Sequence, residues 1–167
     1  SGLIAKTGRD EEGDFYEAEC RKAGMDTLLK RSETPTGVAT TFITPDGQRT
    51  FLDYLGAAVE LTADNITDNM LAGYKYLYLE GYLVQNHALV DSVVSIAKRM
   101  GMKICLDMAS YNIVESDLEY FTTLVRNYVD IVFANEEESL AFTGLEPSKA
   151  LETIAGMCDI AIVKLGA

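Results

Sequence analysis

The sequence predicts an α/β fold: a doubly wound, mostly parallel sheet with helices on both faces, together with a small β-hairpin. Short apolar runs alternate along the chain with amphipathic stretches of helical period, and this alternation is typical of parallel sheets. The runs are apolar throughout, which indicates strands buried on both faces. One segment breaks the rhythm, because two β-rich runs are separated by the turn sequence of Thr44–Gly47.

The strands are predicted from compact apolar runs, and the helices from apolar stripes at helical spacing. The predicted strands are Leu3–Lys6, Thr27–Lys30, Tyr76–Leu79, Lys103–Leu106, Asp130–Phe133 and Ile160–Lys164. The predicted helices are Glu11–Ala23, His87–Met100 and Ile113–Tyr128. Asn112 and Glu115 form a predicted capping pair at the start of the last of these helices.

The predicted hairpin joins Gly37–Ile43 to Gln48–Leu55 through turn residues that include Pro45, Asp46 and Gly47. Side chains alternate across a strand, so the second strand has two faces of mixed character. Neither face is purely polar. From these residues alone, an edge hairpin without a functional role and a hairpin that covers a ligand are both open.

Composition excludes several classes of protein. The chain has 167 residues, a formal net charge of −12 and 48% hydrophobic residues, which suits one packed domain and excludes disorder. The negative charge disfavours nucleic acid as a partner, and no apolar run approaches the roughly 20 residues of a membrane span. Three widely spaced cysteines and a single histidine, His87, argue against a disulfide framework or zinc site and favour a cytoplasmic protein with reduced thiols.

Chemistry is expected where the predicted strands end, since open parallel sheets bind ligands at the carboxyl ends of their strands. Asn135 follows one strand directly and opens a helix, with Glu138 three positions later. This pattern has two interpretations: a capping box that only stabilises the helix, or a site for hydrated Mg²⁺. Asp107 follows the neighbouring strand and is expected to reach the same place.

Six segments in order resemble the ribokinase-like (PfkB) family of carbohydrate and nucleoside kinases. They contain variants of the family patterns G-x-x-G-x-D-x-x-G, G-V-D, T-x-T-G-x-A, G-A-N-x-x-L, N-x-x-E-x-x-x-L-T-G and V-V-K-L-G-A. The segments are Leu3–Phe15, Gly24–Asp26, Thr34–Ala39, Tyr54–Leu61, Asn135–Gly144 and Ile162–Ala167. Ala58 stands where the fourth pattern commonly has Asn. Two further segments, Tyr78–Leu83 and Leu106–Ser110, resemble the adenosine-kinase-like branch.

The resemblance implies an enzyme that transfers the γ-phosphoryl group of ATP to a hydroxyl, usually a primary CH₂OH, of a sugar or a ribonucleoside such as adenosine. It implies that Glu138 holds Mg²⁺, with Asn135 acting through water, and that Asn135 and Asp107 approach the nucleotide phosphates. By position in the family, Arg49 in the hairpin approaches the transferred phosphoryl group. The residues implied to contact the substrate are Ala39, Phe51, Asp53, Leu55 and Tyr82.

The resemblance also implies an organisation. Residues 1–34 and 61–167 correspond to part of the ribokinase-like core, and residues 35–60 to a hairpin lid, through which members often form homodimers. The family's Gly-Gly and Gly-x-Gly-Asp motifs do not occur in these 167 residues. The catalytic base is therefore expected beyond Ala167, and the 167 residues alone are expected to be inactive.

Two other functions are compatible with an α/β chain. One is a non-catalytic binding or regulatory module of the same fold, which would bind a protein partner without nucleotide. The other is an unrelated doubly wound enzyme such as a dehydrogenase, which the missing G-x-G-x-x-G fingerprint disfavours.

Overall fold

The computed structural model describes residues 1–166, and these form two compact units that divide after Asn65. Ala167, the last residue of the segment Ile162–Ala167, lies outside the described residues. The first unit comprises residues 1–65, and the second begins at Ile66. None of the helices within residues 1–166 is long and apolar enough to cross a membrane.

The first unit is built from short strands and one helix. Its strands are β1 (Gly2–Leu3), β2 (Lys6–Gly8), β3 (Asp26–Thr27), β4 (Lys30–Ser32), β5 (Val38–Ile43) and β6 (Arg49–Tyr54), and its helix is α1 (Glu11–Lys22). β1 pairs with β3 and β2 with β4, both in parallel.

The predicted strands Leu3–Lys6 and Thr27–Lys30 were wrong in their bounds, since each region holds two short strands. The two regions nevertheless stay hydrogen-bonded between the strands, because the Leu28 N–H donates to the Leu3 carbonyl at 2.9 Å. The sequence pattern located the two strand regions but did not predict that they pair or that each is interrupted.

Helix α1 confirms the prediction to within one residue. Asp10 caps it by accepting a hydrogen bond from the Gly13 N–H at 2.9 Å. Acidic side chains occupy its first turn and basic side chains its last, which is the distribution that the helix dipole favours.

The hairpin of β5 and β6 is antiparallel, with Val38 opposite Tyr54 and Ile43 opposite Arg49, which confirms the prediction. The turn contains Gly47 at φ 83°, a conformation that glycine adopts without steric cost. Every residue of both strands is exposed. Within residues 1–166 the hairpin forms a two-stranded sheet of its own.

The second unit is a parallel sheet with connecting helices. Its strands are β7 (Tyr76–Glu80), β8 (Lys103–Asp107), β9 (Ile131–Asn135) and β10 (Ile160–Lys164), and they lie in the order β10-β9-β8-β7. Its helices are α2 (Asp68–Leu71), α3 (His87–Arg99), α4 (Tyr111–Ser116), α5 (Leu118–Asn127), α6 (Glu136–Thr143) and α7 (Pro147–Ala155). The predicted α/β class with a parallel sheet, helices and a hairpin is confirmed.

The sheet of the second unit buries one face. Successive strands step in one direction across the sheet, so right-handed crossovers bring their helices to the same face. Leu79, Leu106 and Val132 lie on this face and are buried. On the opposite face of the described sheet, Tyr78 and Ile160 are exposed, so the predicted burial of the strands on both faces is wrong for these residues.

The predicted helix Ile113–Tyr128 was wrong, since the structure has two helices, α4 and α5, separated at Asp117. Asp117 leaves the helical conformation with φ −144° and ψ 40°, and its carboxylate contacts the His87 ring nitrogen. The predicted capping pair was also wrong, because Asn112 and Glu115 lie inside α4 and Ser110 occupies its N-cap position.

Candidate active site at the carboxyl edge of the parallel sheet

Asn135 and Glu138 form a complete capping box at the junction of β9 and α6. The Asn135 Oδ1 accepts a hydrogen bond from the Glu138 N–H at 2.8 Å, and the Glu138 Oε2 accepts one from the Asn135 N–H at 2.8 Å. The Asn135 side-chain amide also donates to the Glu138 Oε1 at 2.9 Å. The first interpretation of this pattern, a helix cap, is therefore realised. The capping box fixes both side chains in place, and each carboxylate oxygen keeps a lone pair for a further partner.

Glu138 as a whole residue is only 4% exposed, and this burial raises the pKa of its carboxyl group. The hydrogen bond from the Asn135 N–H opposes the increase, while the charge of Asp107 adds to it and that of Lys164 reduces it. Burial disfavours the ionised form because a charge loses its hydration. A cation placed against Glu138 would favour the ionised form.

Asp107, at the end of β8, is held by three donors. Its Oδ2 accepts hydrogen bonds from the Tyr78 hydroxyl at 3.1 Å and the Lys164 ammonium at 3.2 Å. Its Oδ1 accepts one from the Ala109 N–H at 3.2 Å. Lys164 ends β10, and sequence reasoning missed it as a residue of this site. Its position at a strand end was the signal that could have identified it.

Glu80, which ends β7, adds a third carboxyl group to this edge. Although Glu80 is exposed as a residue, partial desolvation of its carboxyl group raises its pKa, and the charges of Asp107 and Glu138 raise it further. The four strands therefore end in Glu80, Asp107, Asn135 and Lys164. We call these four strand ends, together with Glu138, the carboxyl edge. Its acidic side chains make it electronegative.

The donors at the carboxyl edge fit a hydrated Mg²⁺. Within residues 1–166, no three His, Cys, Asp or Glu side chains gather closely enough to hold a metal ion. Mg²⁺ typically takes one or two carboxylates and keeps waters or substrate phosphates in its other positions. The buried Glu138, with Asn135 available through water, matches this kind of site and not a metal site formed by protein ligands alone.

The backbone near Asp107 is strained and closely packed. Ala109 has φ 63°, in the left-handed region that L-residues other than glycine rarely adopt. Gly81, the residue after β7, lies against the same loop, since a Cβ there would be 2.5 Å from the Met108 carbonyl oxygen. The glycine at position 81 therefore permits the close approach of the turn after β7 to the loop after β8. Backbone strain of this kind often accompanies functional sites.

Tyr82 lies in the 3₁₀ turn Gly81–Gln85 that follows β7, and half of it is exposed. Its carbonyl accepts a hydrogen bond from the Gln85 side chain at 3.3 Å. The ring is thus accessible next to the carboxyl edge. Its predicted contact with substrate stays a prediction.

The other predicted substrate residues belong to the first unit, on the hairpin. Ala39 pairs with Asp53, Thr41 with Phe51 and Ile43 with Arg49, and paired residues point to the same face. The structure thus brings Ala39, Arg49, Phe51 and Asp53 to one exposed face. Leu55 lies beyond β6, where it precedes the 3₁₀ helix Gly56–Glu60.

The base of the hairpin is anchored by Asp10, a role that the sequence analysis missed. The Asp10 carboxylate accepts hydrogen bonds from the Thr36 N–H at 2.7 Å and the Thr36 hydroxyl at 2.5 Å. These bonds lower the pKa of Asp10. Two glycines allow backbone segments to pack closely at the base of the hairpin. A Cβ on Gly37 would lie 2.6 Å from the Leu55 carbonyl oxygen, and a Cβ on Gly56 would lie 2.3 Å from the Pro35 carbonyl oxygen.

A cavity of about 490 Å³ also lies in the first unit, between α1 and the start of β5. Its lining residues are Ala5, Lys6, Thr7, Glu11, Glu12, Phe15, Tyr16, Thr36, Gly37, Val38 and Ala58. None of the predicted site residues lines it. The cavity therefore gives no support to the predicted site.

The fold of this chain is similar to the folds of solved kinases. The adenosine kinase from Sinorhizobium meliloti shares 31% sequence identity and a TM-score of 0.90, with 99% of this chain and 53% of that chain covered. A probable sugar kinase from Rhizobium etli CFN 42 shares 30% identity and a TM-score of 0.91, with 98% and 52% covered.

A curated relative, the guanosine-inosine kinase of Escherichia coli strain K12, is 26% identical over 137 residues. That match covers 75% of this chain and 32% of the relative. The chain thus spans about half the length of the two solved kinases and about a third of this relative. The model of the pfkB family of carbohydrate kinases matches residues 1–167, and the chain belongs to that family.

Proposed function

We propose that this protein serves ATP-dependent transfer of a phosphoryl group to a hydroxyl, preferably a primary CH₂OH, of a sugar or a ribonucleoside such as adenosine. The observation that carries the proposal is the buried Glu138, fixed by Asn135 at the carboxyl edge of a pfkB-family chain. Two of the relatives named above are nucleoside kinases, which favours a nucleoside as acceptor. Three free cysteines fit a cytoplasmic location.

In this proposal, Glu138 holds Mg²⁺ directly and Asn135 holds it through water, while Asn135 and Asp107 approach the phosphates of ATP. Mg²⁺ would supply the positive charge that neutralises the phosphates. Phosphoryl transfer depends mainly on positioning and charge neutralisation. A rigid capping box suits that task, because its hydrogen bonds restrict both side chains before any ligand arrives.

The hairpin, residues 35–60, is proposed as a substrate lid on a core formed by residues 1–34 and 61–167. Arg49 would contact the transferred phosphoryl group, and Ala39, Phe51, Asp53, Leu55 and Tyr82 the acceptor. Exposed apolar side chains on the hairpin, Val38, Phe42 and Leu52 among them, also suit a homodimer formed through it. Sedimentation equilibrium that detects only monomer would contradict the dimer.

We propose no catalytic base among the 167 residues of this sequence. Gly-x-Gly-Asp does not occur in the chain, so phosphorylation of adenosine or ribose by these residues alone is expected to be undetectable. The proposal is therefore tested on this chain by measuring nucleotide binding and not turnover.

The test compares binding of magnesium–ATP to the wild-type chain and to Glu138→Gln by isothermal titration calorimetry. We expect Glu138→Gln to weaken binding about tenfold or more, because the neutral amide is a poor ligand for Mg²⁺. Glu137→Gln is the matched control, since Glu137 is the neighbouring residue, has the same charge and is exposed. Equal affinities for the two variants would contradict the proposed role of Glu138.

A further inference from the structure

The ion pair between Asp107 and Lys164 joins the ends of β8 and β10 across β9. The Asp107 side chain is 19% exposed and the Lys164 side chain 51% exposed. The carboxylate does not depend on Lys164 for its position, since the Tyr78 hydroxyl and the Ala109 N–H also bond to it. Asp107 is therefore a fixed anion against an accessible ammonium group.

The remaining charges at the carboxyl edge are negative. Glu80 and Glu138 lie close enough to Asp107 for its charge to raise the pKa of both. Glu136 and Glu137 add two acids in the first turn of α6. Lys164 is thus a cation among carboxyl groups, and Asp107 neutralises it.

This arrangement of charges interacts differently with a metal-free and a magnesium-complexed triphosphate. A metal-free triphosphate needs a cationic side chain, but the ammonium of Lys164 is already bound to Asp107, and the nearby carboxylates repel further anions. A magnesium-complexed triphosphate brings its own cation, which the same carboxylates attract. The difference depends on the charge of Asp107.

We propose that Asp107 makes the carboxyl edge selective for metal-complexed over metal-free triphosphates, because its carboxylate occupies the ammonium of Lys164. This inference rests on the proposed function, which places ATP at this edge. It assigns Asp107 a role in choosing the form of the nucleotide, in addition to the phosphate contact proposed above.

The test measures the Kd of ATP in excess Mg²⁺ and in EDTA for wild type, Asp107→Asn and Asp159→Asn. In Asp107→Asn, the amide oxygen can still accept from the Ala109 N–H, while the NH₂ group takes the place of Oδ2, where it can donate to the Tyr78 hydroxyl but no longer accepts from Lys164. We expect Asp107→Asn to tighten metal-free ATP binding about tenfold at low salt and to change magnesium–ATP binding much less. Asp159→Asn is the matched control, because Asp159 pairs with Lys103 at 2.9 Å just before β10, at the opposite end of the strands.

Lys164→Met tests the same inference without changing Asp107. In the Asp107→Asn background it should remove the gain in metal-free binding. In the wild-type background it leaves an unneutralised carboxylate, so metal-free ATP should lose more affinity than magnesium–ATP. Circular dichroism on each variant checks that it is folded.

The outcomes separate this inference from the proposed function. If Glu138→Gln weakens magnesium–ATP binding but Asp107→Asn leaves the selectivity for the metal complex unchanged, the inference fails alone. An equal change in Asp107→Asn and Asp159→Asn overturns it as well, since the effect would then be one of net charge. If neither wild type nor Asp107→Asn binds ATP in either form, both proposals fail.

Discussion

Ala109 is the residue at which the carboxyl edge is most visibly strained. Its φ is 63°, and its N–H donates to the Asp107 carboxylate, two residues back. An L-residue other than glycine pays about 1–2 kcal/mol for the left-handed conformation. The loop therefore maintains the position of Asp107 at some cost in stability.

Replacing Ala109 by glycine should relieve this strain. We expect Ala109→Gly to raise the free energy of unfolding by about 0.5–1 kcal/mol, because the gain in the folded state exceeds the added entropy of the unfolded chain. Urea denaturation measures the change. Ala18→Gly, in the middle of α1 and exposed, should instead lower stability by about 1 kcal/mol. A loss of stability in Ala109→Gly would show that the conformation carries no such strain.

The sequence could identify Asn135 and Glu138, because the strand end, the cap and the acid at the third helical position are all local. It could not identify the partnership of Lys164 with Asp107. These residues are 57 positions apart, and their contact arises from the order of strands in the sheet. Local pattern and strand ends were enough to select candidate residues, but the specific ion pair between Asp107 and Lys164 depends on tertiary pairing and was not predicted.

At the scale of elements, α1 and the hairpin followed their local signals, whereas the region 111–127 did not. The helical spacing of apolar residues continues on both sides of Asp117, so the sequence pattern predicts a single helix. The structure instead breaks it, with Val114 and Phe121 both fully buried on either side of the break. Burial of both side chains, combined with the contact of Asp117 with His87, is a tertiary effect that periodicity does not record.

The Asp10 carboxylate binds Thr36 at the base of the hairpin. Asp10→Asn should lower the thermal stability of the chain, because an amide cannot accept from Thr36 and Gly13 as a carboxylate does. The lowered pKa of Asp10 gives the pH dependence. Its contribution is present above the ordinary pKa of 3.8 and is lost as the pH falls through the lower folded pKa.

Thermal unfolding followed by circular dichroism between pH 7 and pH 2 measures the Asp10→Asn effect. The difference from wild type should be present at neutral pH and should narrow in acid. Asp64→Asn, at an exposed carboxylate in the same unit, serves as the control and should have little effect. A difference in melting temperature that is the same at every pH would contradict the role given to the Asp10 charge.

At the scale of the second unit, the two ends of the sheet have different electrostatics. At the amino end, Asp130 lies between Lys98 at 3.0 Å and Lys103 at 2.8 Å, and Lys103 also contacts Asp159. At the carboxyl edge, acids outnumber Lys164. Acidic and basic side chains are thus paired at the amino end of the sheet. At the carboxyl edge, where a ligand is proposed to bind, carboxylates are in excess.

The amino end should therefore determine the acid stability of the second unit. Burial alone would raise the pKa of Asp130, but hydrogen bonds from Lys103, the Ile104 N–H and Lys98 outweigh it and bring the pKa to about 2. Because the folded pKa lies below the ordinary value of 3.8, ionised Asp130 stabilises the fold above pH 4, and this stabilisation disappears between about pH 4 and pH 2.

Asp130→Asn should then cost about 2 kcal/mol of unfolding free energy at pH 7, since the side chain is 13% exposed and loses two ammonium partners. Urea denaturation at pH 7 and pH 2.5 measures this cost, which should be much smaller in acid. Asp159→Asn, which is 66% exposed, should cost under about 0.5 kcal/mol at either pH. If Asp130→Asn costs the same at both pH values, packing and not charge accounts for the stabilising role of Asp130.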